Sequence, residues 1–207
     1  MATTFADSIT FQAAVAFRGG ATGLSRSSLA QDDLKHYPII PTAWRVWDAY
    51  GTILPGTSAA DDLGIYAGAF ATGCPYIGTG DVKTLTTTRY ARTTFQLPPE
   101  YVAGARVQIR AHGGMVTTTA GTSATVDFEA FKLGLDTLIS GSDLCATAAQ
   151  SINSLTFGAK DFSVTPTTLS PGDWLDIRAT IATVDAASGT AVIAALAAVQ
   201  VLLDIQG

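Results

Sequence analysis

Two histidines, His36 and His112, supply all the imidazole chemistry of the 207-residue chain. They show no HxH or HExxH spacing, so a zinc hydrolase is not expected. Counting alone leaves a Ser/His/Asp triad open, but no GxSxG elbow is present to present the serine. Carboxylates come in adjacent pairs, Asp32–Asp33 and Asp61–Asp62. Neighbouring side chains point in different directions on most backbones, which suits a general acid/base pair poorly. Asp81, Asp143 and Asp173 each follow glycine or serine, in GTGD, SGSD and PGD. There the expected role is turn chemistry, the carboxylate bonding its own local backbone. A calcium site would need several such oxygens converging, and no DxDxDG array exists. GTGD lacks the lysine and the following helix of a phosphate loop.

The aromatic residues Trp44, Trp47, Tyr50 and Tyr66 raise the question of a sugar-stacking platform. In WRVWDAY, a spacing of three places Trp44 and Trp47 on opposite faces of an extended segment. One is expected in the core, the other outward or at an interface. Trp174 and Trp44 stand at strand starts, which keeps a glycan-binding role open. No catalytic, cofactor-binding or metal-ligating residue is assigned, and no cofactor is expected.

The elements that must position these residues read as strands. Glutamate occurs only twice (Glu100, Glu129) and lysine four times, while threonine is abundant in runs such as TLTTTRY. Branching at Cβ favours a pleated strand over a helix turn. Period-two alternation is clear in SITFQAAVAFR, in ARVQIRAH (Val107, Ile109, Ala111), in SATVDFEAFKL (Val126, Phe128, Ala130) and in WLDIRATIATV (Leu175, Ile177, Ala179, Ile181). Turn signals separate them, with Pro171 and Gly172 placed for a type II turn. The closing stretch TAVIAALAAVQVLLDIQG is too short and unflanked for a bilayer, which needs roughly 20 apolar residues as a helix. It is expected as a long strand, buried on both faces at its centre.

Charged residues make up 14% and the net charge is −5, with the twelve basic residues scattered. Neither nucleic acid nor a membrane is therefore an expected partner. Met1–Gln12 carries no positive n-region or apolar h-region, so no secretory signal is expected. Cys74 and Cys145 are read as two small buried hydrophobes, with a bridge between them left open. The expectation is one all-β domain over 1–207, with an N-terminal arm or first strand over 1–18. A long loop follows over 19–43, an extended excursion lying across a neighbour.

Two stretches carry a further signal: LPPEYVAGARVQIRAHGGM, and the run from SGSDLCATA through LSPGDWLDIRATI to the apolar end. Over about residues 84 to 207 the chain resembles the jelly-roll structural proteins of tailed bacteriophage virions, especially capsid decoration (cement) proteins. The resemblance implies an antiparallel jelly-roll β-sandwich of about eight strands, and a non-enzymatic homotrimer. Such a trimer would bind the major capsid protein and stabilise the outer surface of the shell, after assembly in host cytoplasm. The alternative is a carbohydrate- or receptor-binding module of a phage tail or fibre. Low charge and many small residues suit a chain that hides surface in subunit contacts.

Overall fold

A computed structural model describes residues 34–205, apart from 135, 137, 187 and 188. The arm over 1–18 and the loop as far as residue 33 lie outside the described residues. Eleven strands follow in chain order: β1 Lys35–Ile39, β2 Gly64–Tyr66, β3 Tyr76–Gly78, β4 Thr86–Gln96, β5 Val107–Met115, β6 Ser123–Leu133, β7 Ile139–Ser140, β8 Gln150–Ser151, β9 Gly158–Val164, β10 Trp174–Val184 and β11 Ala194–Leu203. Helical backbone among the described residues is a single 3₁₀ turn, Pro41–Ala43.

All pairings between these strands are antiparallel. One sheet runs β2-β3-β11-β5-β9, with β1 also on β11; the other runs β4-β10-β6-β7, with β8 also on β6. β2, β3 and β8 lie outside the main winding, and eight strands remain. Numbered one to eight along the chain, they lie in space as 1-8-3-6 and 2-7-4-5. That is the winding of a jelly roll, two Greek keys folded into one sandwich.

Alternation decides which residues enter the core. On β10, Leu175, Ile177, Ala179 and Ile181 are fully buried between the sheets, leaving Asp176, Arg178 and Thr180 on the outer face. On β6 the inner set is Val126, Phe128 and Ala130; on β5 it is Val107, Ile109 and Ala111. Phe128 of one sheet meets Phe162 of the other edge-on, with ring centres 5.0 Å apart. Burying each such ring contributes roughly 1.5–3 kcal/mol, so this contact helps clamp the two layers.

The apolar tail runs as β11, between β5 on one side and β1 and β3 on the other. Its burial departs from expectation at the middle. A register shift between Leu196 and Ala198 bulges the strand and leaves Ala197 and Ala198 exposed. Burial on both faces falls instead to either side, at Ala194, Ala195 and Leu196 and at Val201, Leu202 and Leu203.

Two further expectations change. The 19–43 loop is not loop throughout, because Lys35–Ile39 pairs with Val199–Leu203 as β1. Among the described strands its one partner is β11, and Pro38 fits an edge position where a central strand would lose a ladder bond. The sequence ARVQIRAHGGM also puts His112 at a strand end; instead it lies inside β5, since Gly113, Gly114 and Met115 continue the ladder against Ala194–Leu196. The proposed type II turn is present: Gly172 has φ +84° and Asp173 N–H donates to Ser170 O at 3.2 Å.

Candidate functional site

The outward face of the β4-β10-β6 sheet carries two ion pairs, Arg92–Asp176 and Arg178–Glu129. Register sets Arg92 of β4 beside Arg178 of β10, and Arg178 beside Glu129 of β6. Two arginines side by side repel unless each has its own counter-charge. Arg92 gives Nε to Asp176 Oδ1 at 2.7 Å and a second bond to Oδ2, so the pair is bidentate. Arg178 does the same work against Glu129 Oε2 through Nε and Nη2. The hydrogen bonds to Asp176 hold the Arg92 guanidinium above its ordinary pKa, against the opposing effect of burial. On β6, burial pushes the Asp127 carboxyl up, assisted by Glu129 and Asp143.

A chain segment stitched to the free edge of β4 roofs one side. Arg45 N–H donates to Arg92 O at 2.8 Å and Arg45 O accepts from Arg92 N–H at 3.0 Å; Tyr90 N–H donates to Asp61 O at 2.7 Å. These bonds cover the edge strand where it would otherwise invite pairing. They also fix Trp47 and Tyr50 over the face. Trp47 lies 5.0 Å from the Tyr90 ring at a tilt of 47°, and its Nε1 donates to Asp61 Oδ2 at 3.0 Å. The Arg178 guanidinium sits 5.6 Å from the Trp47 ring centre and 5.1 Å from that of Tyr90. Arg92 is 5.3 Å from the Tyr50 ring, whose hydroxyl meets Thr94 Oγ1 at 2.8 Å.

Between these groups lies a trough of about 340 Å³, lined by Trp47, Asp48, Arg92, Glu129, Phe131, Ile139, Asp176 and Arg178. Trp174 stands on the same face, two residues before Asp176, and is 43% exposed. The face therefore offers rigid planar hydrogen-bonding groups flanked by aromatic rings. A second depression, of about 620 Å³, lies against the other sheet and is mainly apolar.

Of the residues singled out by sequence, Trp44 is core at 1% exposure and Trp47 faces outward, the expected division. The three turn aspartates do bond local backbone, and they also reach further. Asp81 accepts from Lys83 N–H and Val192 N–H, and these bonds lower its carboxyl below the usual range. Asp143 accepts from Cys145 N–H and Ala130 N–H; Asp173 accepts from Ser170 N–H and pairs with Lys132 at 2.7 Å. His36 and His112 flank β11, opposite Leu202 and Ala198, and so are not brought together. The expectation of two buried cysteines fails at Cys74, which is exposed in a loop rich in small residues. Cys145 is half-buried, and burial pushes its thiol up to about 11. Among the described residues, no group of three or more His, Cys, Asp or Glu is placed to hold a metal ion, and no helix is long and apolar enough to cross a membrane.

No family model matches the chain, and no curated protein does. Solved structures with partial likeness include the CBM22-2 xylan-binding domain of Xyn10C from Paenibacillus barcinonensis, 13% identical, covering 78% of this chain and 92% of that one at a TM-score of 0.44. The K1 cleaved adhesin domain of Lys-gingipain from Porphyromonas gingivalis W83 is 11% identical over 84% and 99%, at 0.42. The xylan-binding module CBM15 is 11% identical over 84% and 99%, at 0.41. At these TM-scores the likenesses assign neither a family nor a ligand to this chain.

Proposed function

We propose that this jelly roll is a carbohydrate-binding module without catalytic function, and that the trough on the β4-β10-β6 face receives the sugar. The observation that carries this reading is the Arg92–Asp176 and Arg178–Glu129 ladder set among Trp47, Tyr50, Tyr90 and Trp174. A pyranose offers apolar C–H faces and a rim of hydroxyls. Aromatic rings accommodate the first, while charged planar groups make short, directional bonds to the second. Because each guanidinium is already held by a carboxylate, little side-chain freedom remains to be lost on binding. A glycan array tests the reading. Retention on at least one polysaccharide is expected, falling at least tenfold in Trp47→Ala or Trp174→Ala at unchanged melting temperature. Silence across the array, or retention indifferent to both variants, would refute it.

A second reading, decoration of a phage shell, rests on the resemblance over residues 84 to 207 and on the apolar depression of the opposite sheet. It differs in where the protein sits on a virion. Immunogold micrographs would show label over the whole shell in that case, and at the tail or fibre tips for a receptor-binding module.

A further inference from the structure

The apolar depression lies on the sheet opposite the trough and concerns a different partner. Its lining includes Tyr66, Tyr76, Val116, Leu155, Phe157 and Ala197, and contains no charged residue. Ala197 reaches this surface because the β11 bulge turns it outward. Tyr66 and Tyr76 stack at 5.3 Å and 17° to form one wall. On the other, Leu155 is 58% and Val116 40% exposed. The stretches that line it, residues 66–76, 115–116 and 155–157 with Ala197, hold no Asp, Glu, Lys or Arg. A chain with seventeen acidic residues has thus cleared its charges from this area, which lets a second copy approach without like-charge repulsion.

Beside the depression stands its counterpart. The loop between β2 and β3 carries Phe70 at its tip, 100% exposed. The loop is braced: a Cβ built on Gly68 would come within 2.5 Å of Gly73 Cα, so the two backbones touch. Ala69 O accepts bonds from Thr72 N–H, Gly73 N–H and Thr72 Oγ1. An apolar ring held out on a pinched loop loses little freedom when it is buried by a partner. Knob and hole occupy the same patch, the arrangement that a two-fold axis satisfies reciprocally.

We infer that the chain pairs with a second copy through this face, each Phe70 entering the other's depression beside Ala197. The test is light scattering over a rising concentration series on the wild type, Phe70→Ser and Ala197→Trp. The second variant fills the hole from an exposed position and spares the core. Wild-type mass should climb from 21.4 kDa towards twice that value. Both variants should stay at one chain's mass while melting as the wild type does. Two outcomes would overturn the inference. The wild type could remain a single chain at the highest concentration, or it could associate equally well with either substitution. In the first case, uptake of anilinonaphthalene sulfonate that is lost in Ala197→Trp would give the depression to a small apolar ligand instead.

Discussion

Asp176 shows how a charge can lie on a sheet face and still be nearly buried. Its side chain is 7% exposed and takes both bonds from Arg92, whose neighbour across the ladder is Arg178. Asp176→Asn keeps a shape but removes the counter-charge, leaving two guanidinium groups side by side. Thermal unfolding should register a loss of about 1–3 kcal/mol. Replacing Asp176 and Arg92 together with leucine should cost much less than the single change, because no unpaired charge is left behind. A double variant as unstable as Asp176→Asn would contradict that account. The tyrosines set an alkaline limit. Burial, with Glu100 beside it, pushes Tyr37 up to about 12; burial, with Asp204 and Asp173 nearby, pushes Tyr101 up to about 12 as well. Unfolded tyrosine ionises near pH 10, so the unfolded chain sheds these protons first. The stabilisation is therefore complete below about pH 10 and drains away as pH rises towards about 12. Melting temperatures through that window should fall less steeply in Tyr101→Phe; an unchanged slope would mean that its hydroxyl titrates normally.

Among the elements, the long strands were legible and the short ones were not. β5, β6 and β10 each span nine or more residues, and β5 alternates from Val107 to His112, enough for the period to stand out. β2, β3, β7 and β8 hold two or three residues each, too few to show any period, and they exist because a neighbouring strand offers an unpaired edge. β1 was hidden by Pro38, which reads as a breaker until its pairing with β11 is seen. The β11 bulge could not be read from AALAAV, where every residue tolerates either face. The strand's placement is nevertheless open to test. Val201 is fully buried against the core, so Val201→Asp puts a charge where only apolar groups surround it. The penalty of several kcal/mol is comparable with the whole stability of a domain, and soluble expression should be lost. A soluble variant with wild-type melting would mean that β11 is not central.

For the whole molecule, the sandwich could be anticipated while its binding face could not. Arg92, Glu129, Asp176 and Arg178 each read as an ordinary outward position on its own strand. Their partnership depends on strands that lie 84 and 49 residues apart in the chain, and only the register brings them together. The sequence put one of Trp44 and Trp47 outward and Trp174 at a strand start, but nothing in it says that Trp47 and Trp174 share a face. The account rests on that shared face binding sugar, and affinity electrophoresis tests it most directly. Native gels cast with a series of soluble polysaccharides would be run with the wild type and with Arg178→Lys, which keeps the charge but loses the planar fork. The account predicts that at least one polysaccharide retards the wild type and that Arg178→Lys, folded and equally mobile in a plain gel, escapes retardation. Equal mobility of the wild type in every gel, or equal retardation of both proteins, would contradict it.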